Sequence, residues 1–332
     1  MTIRIESLRV ENLRCFIGEH TLNFDKSDGA AIEAIAGGNA TGKTTLADSI
    51  RLCLTGTFAG EKPLVTHELI DQSPGNDGSG NVSIVLSDSE LGRRFRFARQ
   101  FHTAETRRGP VNTVDSLQVE EETDGTWTHV SSADAVNTVF PRPAFTFCKL
   151  DSQSLIGINN SNNGISWNEL VESLGDAAAQ QSVARGVELP EYFGNDYDLA
   201  DELLRRINHS LESIDSRFRV EEREDGLVVR RAENGAGDVI QHLATGDRLL
   251  ISQVAAFAAA ELLPETPPLI GDSIFGRVDS SLRQDLMGLV QEMDRHVLLF
   301  ATELEFEDLA IEPRLKLVLN QEDMHCHTVS LE

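Results

Sequence analysis

The chain has 332 residues and a formal net charge of −25. That length buries a full-sized core, as one large α/β domain or as two lobes. An acidic field of this size repels DNA and anionic lipid at long range, so any nucleic-acid contact must come from local basic patches. Eighteen consecutive apolar residues occur nowhere, which argues against a bilayer-spanning helix, and the opening MTIRIESLRV lacks a signal peptide's hydrophobic segment. Cys15, Cys53, Cys148 and Cys326 form no C-x-x-C, which argues against a zinc site or disulfide framework and for a reducing, cytoplasmic setting. Lysine is scarce, five against twenty-four arginines.

Residues 3–24 alternate as a half-buried strand does, with a turn expected at Gly18-Glu19 and a second strand over 21–24. Residues 31–54, AIEAIAGGNATGKTTLADSIRLCL, organise the rest: an apolar strand, a glycine loop, and a helix with Leu46, Ile50, Cys53 and Leu54 on one face. Within it Gly37, Gly38, Asn39, Ala40, Thr41, Gly42, Lys43 and Thr44 match G-x-x-x-x-G-K-[ST] in full, and Thr45 follows. The glycines let successive N–H groups turn inward as a polyphosphate cradle. Lys43 can reach the β- and γ-phosphates of ATP, Thr44 can ligate Mg²⁺, and the helix start adds partial positive charge.

Residues 71–80 read as a polar surface loop. Antiparallel strands follow over 81–130, with a hairpin at Asp124-Gly125. Residues 93–108 hold six arginines against one glutamate, a patch that reads either as a DNA-backbone footprint or as a solvated sheet face. Residues 145–155 resemble a buried strand entering a polar loop, and 159–164 (NNSNNG) is a breaker. Helices are expected over 167–184 and 198–218, then a hairpin turning at Asp225-Gly226. A further helix runs over 243–263, a short buried strand ends at Asp272, a helix covers 280–293 and a strand 297–302, ahead of an acidic tail. Residues 160–198 hold no sustained heptad pattern.

A phosphate loop needs a second acidic residue for the Mg²⁺ shell, at the end of a neighbouring apolar strand. Asp272, closing Leu269-Ile270-Gly271, is the candidate. Leu243-Ala244-Thr245-Gly246-Asp247, opening a long helix, resembles the ABC-type signature, which presents helix N-terminal amides to the γ-phosphate held by a second subunit. The chain therefore resembles the head domain of the SMC, SbcC and RecF group of ABC ATPases. IESLRVENLRCF is similar to that group's first strand, and DSIFGRVDSSLRQDL with HVLLFATELEF looks most like DndD, the ATPase associated with DNA phosphorothioate modification and restriction.

That resemblance implies an α/β fold: a P-loop NTPase of ABC-head type, a mixed central sheet with an antiparallel β lobe, and a short helical insertion in place of a coiled coil. The expected division is an N-terminal lobe over 1–158, a vestigial arm over 159–218 and a C-terminal lobe over 219–332. It implies ATP and Mg²⁺ as cofactors, with Asp272 in the metal shell, Asp279 in a loop speaking across the dimer, and Gln153 as the Q-loop glutamine, catalytic and metal-directed. Arg14 either approaches the phosphates or is an exposed strand arginine. Thr245, Gly246 and Asp247 contact the nucleotide of a second copy. The implied function is an ATP-hydrolysing head that forms a homodimer on ATP and drives DNA repair, maintenance or defence. DNA and a nuclease or DNA-modification protein are the expected partners, with no membrane. Three departures stand out. Ser273 occupies the place of the usual water-polarising glutamate, Ala244 replaces the signature serine, and no switch histidine follows the last strand, leaving Glu303 or Glu305 as candidates to position water. A nucleotide-dependent scaffold with little turnover is the alternative, and a transporter subunit a more distant one.

Overall fold

The computed structural model describes residues 3–24, 32–58, 62–71, 77–151, 155–156, 164–194, 196–214, 217–223, 226–231, 237–240, 243–313, 315–319 and 326–330. β1 (Ile3–Leu13) and β2 (Phe16–Asn23) open the chain, and β3 (Ile32–Gly37) leads through the glycine loop into α1 (Lys43–Thr55). After α2 (His67–Asp71) come β4 (Asp77–Asp88), β5 (Arg93–Thr106), β6 (Gly109–Val114), β7 (Gln118–Thr123) and β8 (Thr126–His129). The middle carries α3 (Ser132–Val139), α4 (Phe145–Cys148), β9 (Lys149–Asp151), β10 (Leu155–Ile156), β11 (Gly164–Ile165), α5 (Trp167–Arg185) and α6 (Asp196–Ser213). A small antiparallel sheet of β12 (Phe218–Arg223), β13 (Gly226–Arg231) and β14 (Gly237–Val239) follows. The chain then returns through α7 (Thr245–Leu262), β15 (Leu269–Asp272), α8 (Ser280–Glu292), β16 (Val297–Ala301), α9 (Glu303–Asp308), β17 (Leu315–Leu319) and β18 (Cys326–Ser330).

Two large sheets result. One is antiparallel, ordered β2-β1-β4-β5-β7-β8 with β6 on β5. Its strands alternate: Val82, Ile84 and Leu86 of β4 and Phe95, Phe97 and Phe101 of β5 are fully buried, with polar residues between them. The other is mixed, ordered β18-β17-β3-β16-β15-β9, parallel from β17 to β9. Its central strands read as unbroken apolar runs, VLLFA in β16 and LIG before Asp272 in β15, because both faces are covered. The ends of these parallel strands therefore gather β3, β15 and β16 at one edge, where ligands bind in open α/β sheets.

α1 lies between the sheets, touching β1, β4 and β5 on one side and β15 and β16 on the other. Its buried surface extends beyond the one face read from sequence, to Ala47, Asp48, Ser49 and Leu52. Gly56 ends it in a left-handed C-cap, φ 76°. Arg99 of β5 donates from Nε to the Cys53 carbonyl at 2.5 Å, tying the helix end to the antiparallel sheet.

Several expectations need correction. The first turn sits at Arg14-Cys15, not Gly18-Glu19; Asn12 Oδ1 accepts the Gly18 N–H at 2.9 Å, folding the chain back early. Residues 77–80, read as loop, open β4, because Gly80 lets the strand pass where a Cβ would meet the Glu11 carbonyl at 2.5 Å. Residues 145–148 form a helical turn before the strand. The helix expected to reach 218 stops at Ser213; the Asn208 side chain pairs with both backbone groups of Val220, docking β12 alongside it. The tail contributes α9 and the strands β17 and β18, of which β17 joins β3 in parallel. The breaker over 159–163 lies outside the described residues.

Candidate functional site: the phosphate-loop cleft

Gly42 caps α1 at φ 90°, and a Cβ there would meet the Phe16 ring at 2.6 Å and Cys15 Sγ at 2.9 Å. Only glycine fits a left-handed backbone pressed so closely against the β1–β2 turn. Ala40 is also left-handed, φ 64°. Lys43 Nζ donates to the carbonyls of Gly37 at 2.8 Å and Gly38 at 2.7 Å, so its charge sits inside the loop. Burial lowers its pKa, while Asp272 and Glu305 pull the other way. Thr41 Oγ1 donates to the Gly38 carbonyl at 2.9 Å and closes the turn.

Thr44 Oγ1 donates to Asp272 Oδ2 at 2.6 Å, joining residues 228 positions apart. Asp272 is buried at the end of β15. Its pKa is raised, first by burial and also by Asp151 and Asp48, against the Thr44 hydroxyl and Lys149, which lower it. Lys149 in turn pairs with buried Asp48 of α1 at 2.7 Å. Ser273 follows with φ 52°, its N–H donating to the Phe300 carbonyl at 2.7 Å.

These groups open onto a cleft of about 440 Å³ lined by Asn39, Ala40, Thr41, Gly42, Lys43, Thr44, Thr45, Asp272 and Ser273, together with Arg14, Cys15 and Lys62. Arg14 thus stands at the cleft, from a turn rather than a strand. Its guanidinium stacks 4.1 Å from the Phe58 ring centroid, and burial lowers its pKa against Asp48 and Cys15. Lys62 and Cys15 were not anticipated from sequence. Gln153 lies outside the described residues. Thr245, Gly246 and Asp247 stand at the start of α7, apart from this cleft's lining. There Asp247 pairs with Arg217 at 3.3 Å and a Cβ on Gly246 would approach the Arg277 carbonyl at 3.4 Å.

The basic strand face is largely neutralised. Arg93 pairs with Glu121, Arg94 with Glu6 and Glu122, and Arg96 with Glu120, while Arg94 and Arg96 also lie over the Trp127 ring. Among the described residues no helix is long and apolar enough to cross a membrane.

The raised pKa of Asp272 has a measurable consequence. A carboxyl whose folded pKa exceeds its unfolded one stabilises the fold below the ordinary carboxylate range, and that contribution is lost as pH rises through the raised value. At pH 7 the charged, buried carboxylate is therefore a cost to the nucleotide-free fold. Asp272→Asn is expected to melt about 2 °C higher than wild type at pH 7. Thermal melts should show the gap closing as pH falls toward the ordinary carboxylate range; no gap at either pH would contradict the burial argument.

A strand, a glycine loop and a helix, with an acid delivered from the next strand but one, define a P-loop nucleotide-binding head. The two-sheet frame is the fold of SMC head domains. A family profile described as AAA domain matches residues 7–216, and the chain belongs to that family. In structure it is similar to the Smc head bound to the C-winged helix domain of ScpA, with TM-score 0.61 and 14% identity over 98% of this chain and 97% of that one. It is also similar to the SMC head domain from Thermotoga maritima, with TM-score 0.53 and 15% identity over 99% of each chain. A third likeness is to the Smc head domain with an extended coiled coil bound to the C-terminal domain of ScpA derived from Pyrococcus furiosus. It has TM-score 0.60 and 12% identity, over 99% of this chain and 96% of that one. No curated protein matches it.

Proposed function

We propose that the chain is a Mg²⁺-dependent ATPase head that closes as a pair on two nucleotides and drives a DNA repair, maintenance or defence process. The observation that carries this is the Thr44–Asp272 contact, which brings the phosphate-loop hydroxyl and a buried carboxylate together at 2.6 Å. That donor pair suits Mg²⁺, which takes one or two protein oxygens and completes its octahedron with phosphates and water. When bound, the ion neutralises charge on the phosphate oxygens. Gly38 through Thr45 would offer N–H groups and the α1 dipole to the β- and γ-phosphates, with Lys43 swinging from the loop carbonyls to them. Arg14 and Lys62, which line the same cleft, would add positive charge beside the phosphates. Thr245, Gly246 and Asp247, set apart from the cleft, would cap the nucleotide of a second copy, so each site would be complete only in the pair. ATP would then favour the closed pair through its higher affinity for that state.

The relatives bound to ScpA are heads that carry a protein partner. By analogy this head would reach DNA through a partner, a nuclease or modification protein. The pairing of Arg93, Arg94 and Arg96 with carboxylates favours that route over direct backbone contact. A DndD-like role in DNA modification defence is the closest form of this proposal.

Light scattering tests the coupling: wild type should shift from monomer to dimer mass with ATP and Mg²⁺, and should not with ADP. An unchanged mass would refute closure. Ser273 favours a second reading, a nucleotide-gated scaffold with little turnover, because a serine hydroxyl cannot take a proton from water at neutral pH. Steady-state phosphate release decides: a rate equal to that of Asp272→Asn supports the scaffold.

A further inference from the structure

Two carboxylates, Glu303 and Glu305, open α9, and the second stands beside the loop that Ser273 begins. Glu303 is exposed and pairs with Lys316 of β17. Glu305 is held differently. Its Oε2 accepts hydrogen bonds from the Thr302 N–H at 2.8 Å and the Thr302 hydroxyl at 2.9 Å, a capping box that fixes the carboxylate. Its Oε1 is buried and has no hydrogen-bond partner among the described residues. Such an acceptor is costly, and natural proteins keep few of them without a use.

Oε1 lies against the loop that follows Asp272. A Cβ on Gly276 would stand 2.6 Å from it and 3.5 Å from the Ser273 carbonyl, so the carboxylate fills the room that glycine leaves beside residues 273–276. Ser273 itself lines the phosphate-loop cleft. β16, which delivers α9, lies between β3 and β15, the strands that carry the phosphate loop and Asp272. Among the described residues, the charges of Asp272 and Glu305 act on Lys43.

We infer that Glu305 orients the attacking water and accepts its proton, taking the role that the residue after Asp272 cannot perform. The inference rests on the ATPase reading above. In the step, the water oxygen bonds to the γ-phosphorus and the bond from that phosphorus to the bridging oxygen breaks, its electron pair leaving with ADP. The water proton passes to the Glu305 carboxylate, which returns it to solvent when the closed pair reopens. The geometry also explains Gly276: any side chain there would push the carboxylate off its line.

Glu305→Gln is the decisive variant, because glutamine can serve the same capping box and keeps α9 in place. Phosphate release, ATP affinity by calorimetry, and the nucleotide retained after rapid gel filtration should be measured on the full chain. Expected are a kcat about 100-fold below wild type, ATP affinity within about twofold, and ATP rather than ADP retained. Glu303→Gln should match wild type. Gly276→Ala, whose methyl displaces the carboxylate, gives a second route to the same loss of kcat with binding kept. A Glu305→Gln protein that hydrolyses ATP at the wild-type rate overturns the inference and leaves the ATPase reading intact. Wild type that binds ATP without turnover overturns the inference and the hydrolytic part of that reading. Wild type that does not bind ATP overturns the reading itself.

Discussion

Lys43→Ala is expected to weaken ATP binding about 100-fold while hardly changing the melting temperature of the nucleotide-free protein. The ammonium is already desolvated, donating to the Gly37 and Gly38 carbonyls from inside the loop. Moving to phosphate oxygens, it would exchange two neutral acceptors for charged ones. Charge-assisted hydrogen bonds contribute about 1.5–3 kcal/mol each, and about 3 kcal/mol is a factor near 100 in affinity. Stability behaves differently. Burial lowers the Lys43 pKa, so the charged lysine is a cost to the fold that diminishes as pH rises toward its titration. Removing it relieves that cost and forfeits two hydrogen bonds, and the two effects offset. Calorimetry with ATP, alongside thermal melts, checks both halves. Unchanged affinity would mean that the loop holds no polyphosphate, whereas a large drop in melting temperature would make Lys43 a structural residue. Lys62→Ala supplies the scale: on the exposed wall of the cleft it should lose about tenfold or less.

The parts of the molecule that were legible in sequence are those where one local rule decides the structure. The phosphate loop is such a part, because left-handed Gly42 and the close approach of Phe16 admit no other residue there. The Asp124-Gly125 hairpin is another: both residues adopt positive φ, as a tight two-residue turn requires. Long-range placement was less accessible. β17 belongs to the central sheet because Leu315 and Leu317 find places beside Ile35 and Gly37, nearly three hundred residues earlier, which nothing in its own acidic surroundings announces. The arginines of β5 read as a basic patch because their partners sit on other strands of the sheet, Glu6 on β1 and Glu120, Glu121 and Glu122 on β7, and cancel them only once the sheet forms.

Lys62 left a trace that could have been read. In a chain with twenty-four arginines and five lysines, Lys43, Lys62 and Lys149 fall in or beneath one cleft. A compact, rotatable ammonium suits phosphates and a crowded acidic pocket better than a planar guanidinium does. The orphaned oxygen of Glu305, by contrast, could not be found without coordinates. Glu303 and Glu305 are indistinguishable on paper, and they separate once Lys316 takes one and Thr302 turns the other inward.

Asp88→Ala is expected to cost about 3–5 kcal/mol of folding stability, roughly 4–7 °C in melting temperature for a chain of this length, with the phosphate loop untouched. Asp88 ends β4, where its Oδ1 accepts the N–H groups of Glu90 and Leu91 at 3.1 and 3.0 Å. Its other oxygen pairs with Arg185, the last residue of α5, whose side chain is 1% exposed. Burial works against that guanidinium's charge, yet the Asp88, Glu265 and Glu90 carboxylates outweigh it and raise its pKa. Arg185 thus fastens three parts together: the antiparallel sheet through Asp88, the helical middle through α5, and the approach to β15 through Glu265 at 3.4 Å. Deleting Asp88 leaves a buried cation short of its closest partner, and that uncompensated charge, more than the lost pair, sets the penalty. Arg185→Leu on the same background removes the stranded charge and should recover a large part of the loss, a positive coupling that urea denaturation of the four-member cycle would measure. Additive effects would instead show that Glu90 and Glu265 satisfy Arg185 without Asp88. The head would then be fastened mainly by the apolar packing of α1 between its sheets.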